Sequence, residues 1–303
     1  YIEKSGDLNG LYYNYLVTID GKVNEVTDPY AKAVGVNGNR GMVIDLASTN
    51  PEGWENDTKP ELVDPTDSII YEMHIRDFSI DENSGVTLEY KGKYNGVWQS
   101  GTTIPGSDVK TGVDHLKELG VTTVHILPTF DHRSIDETKL DTKQYNWGYD
   151  PQNYFSLTGM YSSDPKNPEK RIAEFKNLIN EIHKRGMGAI LDVVYNHTAK
   201  VDIFEDLEPN YYHFMDADGT PRTSFGGGRL GTTHHMTKRL LVDSIKYLVD
   251  TYKVDGFRFD MMGDHDAASI EEAYKAARAL NPNLIMLGEG WRTYTGDENT
   301  PVQ

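Results

Sequence analysis

The stretch GMGAILDVVYNH, residues 186–197, decides how the rest of the chain is read. Met187 to Val194 is an almost unbroken apolar run whose only charge is Asp192, as in a strand covered on both faces within a parallel sheet. Polar residues collect at its C-terminal end: Asp192, Asn196 and His197. Working outward, four more short apolar runs share that character: SIIYEMHI from Ser68, TTVHILP from Thr122, VDGFRFDM from Val254 and NLIMLGEG from Asn283. Amphipathic segments lie between them, clearest in RIAEFKNLINEIHKRG (171–186) and HHMTKRLLVDSIKYLVDTYK (234–253), with Gly186 placed as a C-terminal stop. Strand and helix therefore alternate, the signature of βα units around a parallel sheet.

Two α/β architectures fit that alternation. A doubly wound sheet carries a glycine-rich phosphate loop after its first strand, and none follows here. We therefore expect the N-terminal part of a (β/α)8 TIM barrel, strands 1 to 5, from Ser68 to Gln303. Residues 198–233, rich in glycine and aromatics, are too long for an ordinary connection and are expected to form a functional insert. Before the barrel, LYYNYLVTI (11–19) and GMVIDLAS (41–48) alternate as half-buried antiparallel strands do, and NDTKPELVDPTD (56–67) reads as a linker. The expected division is residues 1–67, the end of a β-sandwich module with its linker, and residues 68–303, the barrel.

Composition excludes several classes. The chain has 30 basic and 47 acidic residues among 303, a formal charge of −17 that repels phosphate backbones and anionic lipid surfaces. Nucleic acid is not an expected partner. No apolar run approaches the roughly 20 residues of a membrane span. Cysteine is absent, which removes disulfides and thiolate metal sites. His234, His235, Asp264 and His265 do not follow a zinc spacing, and the histidine pair opens a helix that it would cap or solvate. DADGTP (216–221) suits oxygen coordination but lacks the twelve-residue calcium pattern, so no metal ligand is assigned and calcium stays open.

Asp260 and Glu289 end neighbouring strands, and a carboxylate pair at such strand mouths is the minimum equipment for cleaving a glycosidic bond with retention. Arg258 lies on the same strand face as Asp260 and is expected to hold its pKa down and orient it. Glu289 is expected to stay protonated in a partly apolar setting beside Trp291, serving as acid and then as base.

DVVYNH (192–197), GFRFDMMG (256–263) and GEGW (288–291) resemble the first three conserved regions of the α-amylase superfamily, glycoside hydrolase family 13, in order and each at a strand end. YNWGYDP (145–151) resembles the marker of type I pullulanases, which hydrolyse α-1,6 bonds, and DPYAKAVGVNGNRGMVIDL (28–46) looks like the end of a starch-binding β-sandwich. Streptococcal surface pullulanases look most alike. The resemblance implies a retaining debranching hydrolase acting on pullulan, amylopectin or glycogen fragments, extracellular or at the cell surface, with no required cofactor. Asp260 would be the nucleophile and Glu289 the acid. Tyr149 would stack on a sugar, Asp150 and His197 would meet hydroxyls, and Trp291 would border the acceptor side. Asp192, Asn196 and Trp147 would support them. An isoamylase-like or branching enzyme, or a non-catalytic α-glucan-binding fragment, is the alternative. The family's third acid, beyond strand five, has no counterpart, so the rest of a longer polypeptide is expected to complete the barrel. GDHDAA (263–268) follows the nucleophile strand directly and does not replace it.

Overall fold

The computed structural model describes residues 3–294 except 59, 62, 63, 226 and 292. Five short strands come first: β1 (Tyr12–Tyr13), β2 (Tyr15–Ile19), β3 (Lys22–Val26), β4 (Ala33–Val34) and β5 (Gly41–Met42). They make two antiparallel sheets, β1-β5-β4 and β2-β3. The β2–β3 hairpin closes through Asp20 and Gly21, both at positive φ (49° and 80°), as a two-residue turn that follows strand twist demands. The strand expected over 41–48 stops at Met42. Leu46–Thr49 is a 3-10 turn instead, because the Asp45 carboxylate accepts the Ala47 amide at 3.0 Å and starts it. Ala33, Met42 and Trp54 share one buried apolar cluster with the barrel residues. Tyr30 stacks on Phe155 with ring centroids 4.6 Å apart. Residues 59, 62 and 63 of the expected linker lie outside the described residues.

The barrel strands and helices follow in alternation. After β6 (Ile70–Met73) come α1 (Asp77–Ile80), α2 (Tyr94–Trp98), α3 (Gly112–Glu118) and β7 (Thr123–Ile126). Next are β8 (Phe130–His132), β9 (Pro151–Leu157), α4 (Pro168–Lys184) and β10 (Gly188–Val193). The long insert holds α5 (Asp202–Glu205), β11 (Thr223–Ser224) and β12 (Gly227–Gly228), and α6 (His235–Tyr252), β13 (Gly256–Phe259), α7 (Ala267–Leu280) and β14 (Ile285–Gly288) complete the series.

The parallel sheet has the order β6-β7-β10-β13-β14, which is sequence order without reversal. A doubly wound sheet reverses at a switch point, whereas a barrel lays successive strands side by side. The order therefore selects the barrel. All six residues of β10 are buried, as its apolar run predicts. Among the described residues β6 and β14 are edge strands, each with one neighbour.

Helix ends follow local chemistry. Asn167 caps α4 by accepting the Lys170 amide, Pro168 opens its first turn, and Gly186 at φ 74° follows its end. Ile172, Phe175, Leu178, Ile179 and Ile182 recur at three and four residues along α4 and are all buried. His234 sits at the N-cap of α6 and makes no side-chain cap bond, so of the two expected roles, capping or solvating the helix start, it does not cap. The antiparallel β8–β9 pair was not expected. Asn153 and Ser156 interrupt the apolar pattern of β9, yet both are buried, since they donate to the carbonyls of Gly38 (3.2 Å) and Ala31 (2.6 Å).

Candidate active site

Because the five strands run in parallel, their C-terminal ends share one rim. Register sets Asp192 opposite Arg258 and Phe259 opposite Gly288. Asp260 and Glu289, one residue further on, are therefore neighbours on adjacent strands, whose backbones run about 4.8 Å apart. The Asp260 amide donates to the Val193 carbonyl at 2.9 Å and the Glu289 amide to the Phe259 carbonyl at 3.0 Å, carrying the ladder past the strand ends.

One guanidinium organises the centre. Arg258 Nη1 donates to Asp192 Oδ1 and Oδ2 (3.0 and 3.1 Å) and to Asp260 Oδ1 (2.9 Å), while Nη2 lies 3.3 Å from Glu289 Oε2. Burial works against the Arg258 charge, but Asp192, Tyr149 and Asp260 outweigh it and raise its pKa. Asp260 behaves differently from expectation. Burial, then the Asp192 charge, pushes it up to about 6, and Arg258 pulls down without winning. The guanidinium divides its attention among three acids, so it does not hold Asp260 below the usual carboxylate range.

The surroundings of Glu289 also differ from expectation. Its carboxylate faces three N–H donors rather than apolar cover: the Met261 amide (3.0 Å), the Trp291 indole (2.8 Å) and Arg258. Met261 reaches it from a left-handed backbone, φ 43°. Trp291 itself is 63% exposed.

The loop over 145–151 is tied to this centre. Tyr149 donates its hydroxyl to Asp192 Oδ2 at 2.9 Å, and burial, then Asp192, raises its pKa. His197 is buried. Its Nε2 lies 2.8 Å from the Tyr149 carbonyl, which only a protonated nitrogen satisfies, so Nε2 carries the proton and Nδ1 is a bare acceptor without a partner among the described residues. Burial lowers its pKa and keeps the ring neutral. Asp150, expected to accept a sugar hydroxyl, fastens the loop: Oδ1 accepts from Asn146 at 2.6 Å, and Oδ2 accepts from the Ser134 amide at 2.7 Å and from its hydroxyl. Trp147 is exposed and donates to the Tyr145 hydroxyl, which in turn donates to Asp77. Tyr145 stacks on His74 with centroids 5.3 Å apart. Asn196 is buried, and neither of its side-chain polar atoms has a partner among the described residues.

Sequence reasoning missed His125 and Glu72. His125 Nε2 lies 3.2 Å from Asp192 Oδ2 and Nδ1 lies 3.4 Å from Glu72 Oε2. A histidine inside a strand otherwise read as apolar was the available signal. His265 is buried, and burial pushes it down to about 4, while Asp266 caps α7 through the Ser269 amide. In DADGTP, Asp218 accepts from Thr220 and Asp216 from Arg222. Among the described residues no group of three or more His, Cys, Asp or Glu is placed to hold a metal ion.

The α-amylase catalytic domain family model matches residues 107–221. Pullulanase A of Streptococcus pneumoniae serotype 2 (strain D39 / NCTC 7466) is 61% identical over 98% of this chain, which covers 24% of that protein. The solved catalytic module of the multi-modular glycogen-degrading pneumococcal virulence factor SpuA is 59% identical with a TM-score of 0.88, covering 98% of this chain and 43% of that one. A Paenibacillus barengoltzii pullulanase complexed with maltohexaose and α-cyclodextrin is 46% identical with a TM-score of 0.91, covering 94% of this chain and 44% of that one. The chain thus spans about a quarter of the length of the first of these relatives. Strand order, rim chemistry and these matches define an α-amylase-superfamily catalytic barrel. Over nearly its whole length the chain is similar to pullulanases of that superfamily.

Proposed function

We propose that the complete protein hydrolyses α-1,6 bonds of pullulan, amylopectin or glycogen fragments with retention of configuration. The observation that carries the reading is the Arg258 guanidinium bridging Asp260 and Glu289 at adjacent strand ends. Asp260 attacks the anomeric carbon as Glu289 protonates the departing oxygen. Glu289 then takes a proton from water, whose oxygen displaces Asp260 from the sugar. Asp260 must be ionised for the first step, and with a pKa of about 6 it is so at neutral pH. Tyr149 offers a ring face to the sugar at the reacting centre, His197 Nδ1 offers an acceptor for a hydroxyl, and exposed Trp291 borders the acceptor side. Asp192 and Asn196 support the strand end, and Trp147 supports the loop. These steps use no cofactor.

The glycogen-degrading description of the similar pneumococcal protein supports an α-glucan as substrate. It also supports action outside the cell, since glucan polymers do not cross membranes. No helix among the described residues is long and apolar enough to span one.

The test is Glu289→Gln in the complete protein. Maltotriose release from pullulan is expected to fall by at least about 10³-fold while glucan binding persists. Unchanged hydrolysis sinks the acid assignment. Transfer products in place of linear oligosaccharides from the wild type would favour a branching enzyme.

A further inference from the structure

We propose that His125 is a positioning residue for the reaction centre, acting through Asp192 on the division of Arg258 between Asp192 and Asp260; the inference rests on the hydrolytic reading above. Charged and titratable groups form a chain across the barrel face of four neighbouring strands: Glu72 on β6, His125 on β7, Asp192 on β10, and Arg258 with Asp260 at the end of β13. Each link is short, at 3.4, 3.2, 3.0 and 2.9 Å. Register explains why the links close. Glu72 pairs with His125 and His125 with Ile190, so Asp192, two residues on, shares the face on which His125 points, and Asp192 pairs directly with Arg258.

His125 is buried, and so is Asp192. A buried carboxylate needs its acceptors filled. Asp192 Oδ2 receives three groups, the His125 imidazole, the Tyr149 hydroxyl and Arg258 Nη1. Without the imidazole, the Asp192 charge is met only by the phenol and the guanidinium. Arg258 then turns further toward Asp192 and away from Asp260, whose other charged and titratable neighbours are Glu289 on β14 and Tyr149 in the 145–151 loop. The consequence is a nucleophile harder to ionise and less well oriented, with the glucan-contacting surfaces untouched.

The experiment compares wild type, His125→Phe and His125→Gln in the complete protein on pullulan. Gln carries a donor near the Nε2 position and Phe does not. His125→Phe is expected to lower kcat about 10- to 100-fold with KM changed less than about threefold. Its acid limb moves to higher pH, and His125→Gln recovers most of both. A phenylalanine variant with wild-type kcat and an unmoved acid limb overturns the inference. So does equal loss in both variants, which marks a packing role. Crystal structures of wild type and His125→Phe give a readout free of activity: Arg258 is expected to close on Asp192 and draw away from Asp260, and an unmoved guanidinium again overturns the inference. An inactive wild type overturns the hydrolytic reading alone.

Discussion

Asp260 and Asp192 compete for the same nitrogen of Arg258, and that competition makes opposite predictions for the two partners of the nucleophile. Arg258 pulls the Asp260 pKa down, so Arg258→Lys, with a point charge in place of a fork, is expected to move the acid limb of kcat/KM upward from about 6. Asp192 pushes it up, so Asp192→Asn is expected to move the same limb downward even as kcat falls. Initial rates on pullulan between about pH 4 and 8 check both signs, and limbs moving together would contradict the arrangement. The acids themselves and the arginine were legible from the sequence, since strand-end position and a two-residue offset place them on one face. The net direction of the Asp260 shift was not legible. It depends on burial and on a third carboxylate that register, not sequence proximity, brings alongside.

At the scale of elements, α4 is locked to its neighbours by a buried histidine. His183 Nδ1 lies 2.7 Å from Asp57 in the N-terminal segment, and Nε2 lies 2.7 Å from Asp255, which precedes β13. Burial works against its charge, but Asp255 and Asp57 outweigh that, and the imidazole is pushed up to about 9. A raised folded pKa stabilises the fold below the ordinary histidine value, near 6.5, and the contribution fades as pH climbs through about 9. Its size is about 3 kcal/mol at most. Thermal unfolding of His183→Gln is thus expected to fall well short of wild type at pH near 6 and to approach it near pH 10. A gap that stays constant with pH would refute the ion-pair account. The helix was readable from its apolar spacing and Gly186. The lock was not, because its partners lie 126 and 72 residues away in sequence.

Across the whole molecule, the joint between the N-terminal segment and the barrel is polar at its centre. Arg171 of α4 pairs with Glu137 at 2.7 Å, and Glu137 accepts the Asn37 amide at 2.9 Å. Asp131 beside them is pushed up to about 7, by burial first and then by Glu137, despite Arg171. Gly38 closes this joint at φ 68°, and a Cβ there would meet Asp131 Oδ2 at 2.1 Å. Gly38→Ala is expected to cost about 2 kcal/mol or more, both from the left-handed backbone and from displacing a buried network. Chemical denaturation of the complete protein measures it. A neutral substitution would show that the segment sits loosely on the barrel.

The sequence by itself determined the class of sheet, the five parallel strands, the two long helices and the identity of the rim residues. Those features rest on short-range periodicity and on residue types at strand ends, which are local properties. Tertiary structure alone decided the strand order that excludes a doubly wound sheet, the β8–β9 pair, the sharing of one core by the N-terminal segment and the barrel, and the entry of His125 into the charge network. Each of these depends on which distant segments meet. A buried histidine or asparagine looks like a misplaced polar residue until the partner that satisfies it is known.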